Sequence, residues 1–329
     1  MDKVRWGLLS TARINAKLIP AIQASRRGEL TAVASRNNQT AEAYAKEWNI
    51  PHAFGSYQAM LNSDQIDAVY ISLPNHLHKE WSIKAMQAGK HVLCEKPFAL
   101  SLAEVDEMIK VSRDTGCVLA EAFMYRHHPQ TKIIADLVKS GKVGEARVVR
   151  GVFNFFLKNQ TDYRLIPDFG GGALWDIGVY PLSFAQLIMG EAPQTVFGFQ
   201  HLGRTSVDLT FVGELRYSKD RFAQITASFE TPFYTFVEVI GSKGRLCANQ
   251  PFVITQTNRQ LLFYPENSEG EFEEIPVPEQ ELYLGEVEDM HAAILDKKDP
   301  LISLEETRNH VRTVLALYDS AFQKKAVDL

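Results

Sequence analysis

Little in this chain marks it for a specialised setting. It has three cysteines, Cys94, Cys117 and Cys247, in 329 residues. They show neither CxxC spacing nor an even count, so a disulfide framework and a thiolate metal site are both disfavoured, and the three read as small, reduced core residues. No apolar run approaches the roughly 18 residues that a membrane-spanning helix needs. Met1-Asp2-Lys3 leads straight into a strand, which leaves no room for a secretory signal. The expected compartment is therefore cytoplasmic, with no membrane partner. Net charge is −5 without a basic block, which argues against nucleic acid as a partner. Internal repeats and low-complexity linkers are lacking as well.

What is present is ordinary for a soluble globular protein, with 45% hydrophobic and 23% charged residues. The length exceeds a comfortable single core and favours two domains. Val4 to Leu9 reads as a strand, Ile14 to Ser25 as a helix and Leu30 to Ser35 as a second strand. The alternation continues with helices near Thr40 to Trp48 and Tyr57 to Leu61, the strand Ala68 to Ile71, and a helix near His76 to Ala88. A strand ending at Cys94, a helix opened by the capping box Ser101 and Glu104, and Val118 to Ala120 complete it. This predicts an α/β domain over residues 1–121, with a parallel sheet and right-handed crossovers.

From about Glu121 the rhythm changes. A helix near Pro129 to Ser140, a long strand from Ala146 to Phe156 and a helix from Ala173 to Met189 lead into many strands: Thr195 to His201, Leu209 to Tyr217, Arg221 to Phe229, Tyr234 to Ile240, and Gly244 to Ala248. Shorter strands are expected near Phe252 to Gln256 and Gln260 to Tyr264, and helices from Leu282 to Leu295 and Leu304 to Lys324. Short turns such as Gly241-Ser242-Lys243-Gly244 predict an α+β domain over residues 122–329 with a large open, mostly antiparallel sheet. Its strands carry apolar residues on both alternating sets, as in Phe229, Phe233, Phe236, Val237 and Val239. A solvated face would be more polar, so a homodimer or higher homo-oligomer is expected.

Glycine is missing where a dinucleotide-binding turn would use it. After the first strand comes Ser10-Thr11-Ala12-Arg13-Ile14-Asn15, with Ser10, Ala12 and Asn15 at the three glycine positions. Small residues still allow a pyrophosphate to approach backbone N–H groups at a helix start, although the same residues fit an ordinary strand-to-helix turn. A carboxylate is missing too, at the end of the second strand, where NAD-specific sites hold the ribose hydroxyl; Ser35 and Arg36 stand there instead. Arg36 suits the extra phosphate of NADP, or is a solvated loop residue.

The chemistry is expected around Cys94-Glu95-Lys96-Pro97-Phe98. Ligands of open α/β sheets bind at the carboxyl ends of strands, so Lys96, just beyond a strand end, points into a cleft. Pro74-Asn75-His76-Leu77-His78, after the strand ending at Leu73, lies at the same sheet edge. His76 and His78 lack a third ligand at convincing spacing for a metal. Farther on, Gly170-Gly171-Gly172 opens a helix in which Asp176 and Tyr180, four residues apart, share one face. Oxidising a secondary alcohol needs a group that removes the hydroxyl proton, and a tyrosine with pKa near 10 is a poor base at neutral pH. A lysine about 4 Å away is worth about 4 kcal/mol, or about three pKa units, so Lys96 and Tyr180 make a sensible pair. Tyr180 before Pro181 also reads as a helix-end packing residue, and Asp176 as an exposed or capping acid. Tyr125-Arg126-His127-His128-Pro129 is rich in groups that hydrogen-bond a polyol, or is a plain interdomain turn. Substrate contacts are expected in loops such as Asn159 to Phe169, which includes Arg164.

Taken together, Glu95-Lys96-Pro97, Pro74-Asn75 with His78, and the triple glycine leading to Asp176 and Tyr180 resemble the Gfo/Idh/MocA family. Tyr rather than His at 180, with Glu121-Ala122-Phe123-Met124-Tyr125-Arg126, is most similar to its dihydrodiol dehydrogenase, xylose dehydrogenase and glucose-fructose oxidoreductase branch. The resemblance implies a Rossmann domain, a second domain built on an open sheet, and an active site between them. It implies Lys96 as catalytic lysine, Asp176 as substrate-orienting acid and Tyr180 as proton donor or acceptor. Cofactor contacts are implied at Ser10, Thr11, Ala12, Arg13, Ile14, Ser35, Arg36, Leu73, Pro74, Asn75, His78, Glu95 and Lys96, with Asn75 and His78 beside the nicotinamide. Substrate contacts are implied at Arg126, Arg164, Asp176 and Tyr180.

The expectation is therefore an oxidoreductase using NADP, with NAD possible, on a sugar, polyol or cyclic diol, and needing no metal. A non-catalytic NADP-binding sensor is the rival that the glycine-free first turn permits. Retention of Lys96, Asp176 and Tyr180 argues against it, since a sensor needs no proton-transfer pair.

Overall fold

A computed structural model describes residues 3–255, 259–267 and 269–329. The chain divides into two compact units, one running to His127 and including Tyr283–Arg308, the other comprising His128–Leu282 and Asn309–Leu329.

The first unit is built on a six-stranded sheet in the order β3-β2-β1-β4-β5-β6, formed by β1 (Val4–Leu9), β2 (Gly28–Ala34), β3 (His52–Phe54), β4 (Ala68–Ile71), β5 (His91–Glu95) and β6 (Leu119–Ala122). Every neighbouring pair is parallel. A parallel sheet is covered on both faces, and the strands read as continuous apolar runs for that reason: Trp6, Leu8, Leu9, Val69, Tyr70 and Ile71 are all fully buried. The strand order reverses between β1 and β4, and ligands of such sheets bind beyond the carboxyl ends at that reversal. The helices are α1 (Asn15–Ala24), α2 (Asn38–Trp48), α3 (Tyr57–Leu61), α4 (His78–Gln87) and α5 (Leu102–Thr115). The Ser101 hydroxyl accepts from the Glu104 N–H, and the Glu104 carboxylate accepts from the Leu100 N–H. The cap is therefore a variant of the expected box, reaching one residue farther back.

Helix α8 (Leu284–Leu295) belongs to this unit although it follows all but the last strand of the second sheet in sequence. The Trp6 indole N–H donates to His291 Nε2 at 2.9 Å, and His291 Nδ1 lies 3.2 Å from the Ser25 hydroxyl. Burial lowers the His291 pKa, so the neutral ring accepts from Trp6 and donates to Ser25. Gly28 is required here, because a Cβ at that position would stand 2.8 Å from the His291 ring.

The second unit carries a nine-stranded sheet in the order β14-β13-β12-β11-β7-β10-β9-β8-β15. Its strands are β7 (Ala146–Asn154), β8 (Thr195–Leu202), β9 (Asp208–Tyr217), β10 (Arg221–Ser228), β11 (Tyr234–Gly241), β12 (Gly244–Asn249), β13 (Leu261–Pro265), β14 (Glu273–Glu274) and β15 (Val327–Asp328). Only the β7–β10 pair is parallel; the others are antiparallel. Helices α6 (Pro129–Lys139) and α7 (Val179–Met189) belong to this unit, and α9 (Leu304–Gln323) contributes its later part. Register places Val152, Thr226, Val212 and Phe199 in one cross-strand row with Phe236. On the same face Phe199, Phe222 and Tyr234 are 62%, 42% and 52% exposed.

Two elements differ from expectation. Residues 252–255 form no strand, because Gln250 turns left-handed at φ 49° and Pro251 interrupts the ladder; Phe252 is instead fully buried as a side-chain plug. Gln256 lies outside the described residues. The helix expected from Ala173 to Met189 begins with a π-helical turn, Leu174–Gly178, before α7. Among the described residues, no helix is long and apolar enough to cross a membrane and no cluster of metal-ligating side chains occurs.

Candidate active site

In the first unit the turn after β1 is knit by side chains in place of glycine. Ser10 has φ 153°, a value L residues rarely adopt. Its hydroxyl lies 2.8 Å from that of Ser72, which follows β4, and accepts from the Ala12 N–H at 3.1 Å. The Ser72 hydroxyl donates to Asn15 Oδ1 at 2.7 Å, and Asn15 Nδ2 returns a bond to the Ser10 carbonyl at 2.8 Å. Ser10, Ser72 and Asn15 thus close a ring of bonds across the point where strand order reverses. Helix α1 then starts with no side-chain cap and no acid in its first turn. Uncapped N–H groups and the positive helix end suit a phosphate, so the chain fits a dinucleotide here. Thr11, Ala12 and Ile14 are half-buried around this start and Arg13 is exposed.

Ser35 is buried at the end of β2 and Arg36 is exposed beside it. Arg36 is close enough to the Tyr57 hydroxyl of α3 to lower its pKa, against the larger rise that burial causes.

Lys96 follows β5 and is half-buried, joined to Pro97 by a cis peptide. Glu95 accepts the Tyr70 hydroxyl proton and the Lys96 N–H, the latter at 3.2 Å. His78 is fully buried, with Nδ1 at 2.8 Å from the Pro97 carbonyl and Nε2 at 2.8 Å from the Leu73 carbonyl. Two carbonyls favour a doubly protonated ring, but burial outweighs them, with help from Lys96, and lowers the pKa to about 4. At neutral pH the single proton goes to one of the two. His78 thus lies between the loop Leu73-Pro74-Asn75 and the Lys96-Pro97 turn and donates to one of them at a time; Pro74 and Asn75 are half-buried there. Sequence reasoning missed a further support, Glu121 on β6. It is 2% exposed, and accepts from the Phe98 N–H at 3.1 Å and from the Thr307 hydroxyl at 2.9 Å. A carboxylate in an apolar strand was the signal available. Arg126 is also buried, its guanidinium 2.6 Å from Glu306, and His127 sits 3.2 Å from Asp289.

In the second unit the triple glycine folds back on the loop before it. The Gly171 N–H donates to the Ile166 carbonyl and the Gly172 N–H to the Arg164 carbonyl. Arg164 Nε then reaches Asp176 Oδ2 at 2.6 Å, and its Nη1 reaches Asp162 at 3.2 Å. Asp176 and Tyr180 are 8% and 6% exposed. The Tyr180 ring packs against Phe153 at 5.3 Å and Phe252 at 5.6 Å between centroids. Such apolar walls withhold water from the phenol and strengthen any charge that faces it.

A parallel sheet with an uncapped helix start at its strand-order reversal, and a second unit presenting a tyrosine and a carboxylate, define a dinucleotide-dependent oxidoreductase. Residues 4–123 match the Gfo/Idh/MocA oxidoreductase family with its NAD-binding Rossmann fold, and residues 131–247 match the C-terminal domain of that family. D-xylose 1-dehydrogenase (NADP(+)) 2 of Haloferax volcanii is 38% identical over 98% of this chain and 99% of its own. Trans-1,2-dihydrobenzene-1,2-diol dehydrogenase of Xenopus laevis is 32% identical over 73% of each chain. A 3-ketoreductase from Actinomadura kijaniata, solved with NADP and TDP-benzene, is similar in structure with a TM-score of 0.90 at 31% identity, over 97% of this chain and 98% of that one. The same enzyme has been solved with one lysine replaced by alanine or by glutamate, and with one tyrosine replaced by phenylalanine. The chain belongs to the Gfo/Idh/MocA family of oxidoreductases.

Proposed function

We propose that this oxidoreductase moves a hydride between NADP and the carbinol or carbonyl carbon of a sugar, polyol or cyclic diol. The observation that carries the reading is Asp176, paired with Arg164 of the preceding loop, together with the shielded phenol of Tyr180 on one buried helical stretch. Tyr180 exchanges the proton of the reacting oxygen, Lys96 stabilises the phenolate form, and Asp176 orients a substrate hydroxyl. Support comes from the A. kijaniata enzyme, whose replaced lysine and tyrosine stand the same distance apart in sequence as Lys96 and Tyr180. NADP, when bound, supplies or takes the hydride. Ser10, Thr11, Ala12, Arg13 and Ile14 hold its pyrophosphate, Ser35 and Arg36 its extra phosphate, and Leu73, Pro74, Asn75, His78 and Glu95 shape the nicotinamide end. Arg126 and Arg164 serve the substrate side. On this reading the first unit binds the dinucleotide and lends Arg126 to the substrate, and the second unit supplies the other substrate contacts.

The test is turnover with NADP against a panel of pentoses, hexoses and cyclic diols, followed by nicotinamide absorbance. Lys96→Met and Tyr180→Phe should each lower kcat about 10²- to 10⁴-fold and leave NADP affinity near that of the wild type. Wild-type rates in either variant would overturn the assignment. A homodimer formed through the sheet face bearing Phe199, Phe222 and Tyr234 is proposed with it, since these large apolar side chains stand exposed there among charged ones such as Arg150 and Glu214. A monomeric mass in solution would exclude the dimer.

A further inference from the structure

Asp208 opens β9 and is 2% exposed. Its Oδ2 accepts from the Leu174 N–H at 2.7 Å and its Oδ1 accepts from the Tyr318 hydroxyl at 2.7 Å. Ala173 and Leu174 begin the helical stretch that carries Asp176 and Tyr180, and that stretch has no side-chain cap of its own. A helix start leaves four N–H groups without partners, and burial makes each one costly. Asp208 supplies the cap from a strand remote in sequence.

Several features make the arrangement specific. Gly172 has φ 122°, and a Cβ there would stand 2.1 Å from Asp208 Oδ1, so only glycine lets the carboxylate in. Tyr318 on α9 is half-buried, its ring 6.0 Å from Trp175 and 5.5 Å from Phe211. The stretch from Leu174 to Gly178 is π-helical, and such turns change the angle at which later side chains leave the helix. The direction of Tyr180 therefore depends on where this turn is pinned. Burial lifts the Asp208 pKa to about 6, and the donated hydrogen bonds oppose that rise.

We propose that Asp208, held by Tyr318, is a positioning residue for the reaction: it fixes the first turn of the helical stretch and thereby the aim of Tyr180 and Asp176. The proposal rests on the reading of Tyr180 as the proton-transfer group. It adds a residue that makes no contact with the reacting atoms and acts through the backbone of Leu174.

The test compares Asp208→Ala, Asp208→Asn and Tyr318→Phe with the wild type, each alone and with Tyr180→Phe. Rates are normalised to folded protein by circular dichroism and NADP binding. Asp208→Ala should lower kcat on the order of 10- to 100-fold, as misplacement of reacting groups does, with NADP affinity unchanged. Asp208→Asn keeps one acceptor oxygen and should recover part of that loss, and Tyr318→Phe should lose less than Asp208→Ala. In the Tyr180→Phe background the Asp208 substitutions should add little. An unchanged kcat per folded molecule in Asp208→Ala, or full additivity with Tyr180→Phe, overturns the positioning role. If Asp208→Ala does not fold, Tyr318→Phe and Asp208→Asn carry the same two criteria. Should Tyr180→Phe itself retain wild-type turnover, the proton-transfer reading fails separately.

Discussion

Arg164 Nε stands 2.6 Å from Asp176 Oδ2, and the two are held at that distance from both ends. The Arg164 carbonyl accepts from Gly172 while its Nη1 reaches Asp162, so loop and helix move as one piece. Desolvation alone would lower the Arg164 pKa, but the Asp176 charge more than offsets it and raises the value.

Arg164→Gln should free Asp176 to take other partners. Hydrogen bonds to charged groups contribute about 1.5 to 3 kcal/mol, so kcat/KM should fall roughly 10- to 100-fold, mostly through KM. Steady-state kinetics at saturating NADP checks this, and an unchanged KM would exclude a role for the pair in substrate orientation.

Arg36→Ala should weaken NADP binding about 10- to 100-fold and leave NAD binding nearly unchanged, because a charge-assisted bond to the extra phosphate is lost. Tyr57→Phe, which removes the hydroxyl whose pKa Arg36 lowers, should move NADP affinity the same way by less. Calorimetric titration of both cofactors decides it; equal losses for NAD and NADP would mean that Arg36 only stacks on the adenine.

Ser10→Ala keeps the unusual φ of 153° and loses the bonds to Ser72 and Ala12, so it should cost about 1 to 2 kcal/mol of stability. Ser10→Gly should be nearly neutral, because relief of about 1 kcal/mol or more of backbone strain offsets the lost bonds. Urea denaturation separates the two. A larger loss for glycine than for alanine would show that Ser10 is not strained.

Glu121 links stability to pH. Burial raises its pKa to about 8, with Thr307 and Phe98 donating bonds that hold it back and Glu306 adding to the rise. A carboxyl raised in the folded state binds its proton more tightly there than in the unfolded chain. Its stabilising contribution is complete below the unfolded pKa and is lost as pH rises through the folded one. His78, lowered to about 4, has the opposite sense and has given its full contribution once pH exceeds its ordinary value of 6.5. Between 6.5 and about 8, the Glu121 contribution should therefore fall by about 1.4 kcal/mol per pH unit. Glu121→Gln should flatten that slope in thermal melts.

How much of this was legible in the sequence varied with the range of the interaction. Local signals read well: Tyr57 to Leu61 was placed to the residue, and Ser101 with Glu104 opens α5 as expected. Alternation placed the parallel strands because burial on both faces leaves continuous apolar runs. Long-range capping was not legible. Nothing near Ala173 in sequence announces Asp208, and nothing near Phe98 announces Glu121. The extra strand expected at Phe252 failed because an aromatic run looks alike whether it joins a ladder or fills a hole beside Tyr180. The π-turn escaped because Asp176 and Tyr180 keep a shared face at either helical pitch.

The contact of Trp6 with His291 also has a meaning for synthesis. β1 leaves the ribosome first, yet the helix that accepts its indole proton lies in Tyr283–Arg308, after all of the second sheet but its last strand. At about 5 to 20 residues per second, the stretch from His127 to Tyr283 takes roughly ten to thirty seconds to emerge. During that interval Trp6 and Ser25 lack their His291 partner. A chain stopped before residue 283 lacks it permanently, so the shortened first unit should be less stable to urea than the same unit in the full chain.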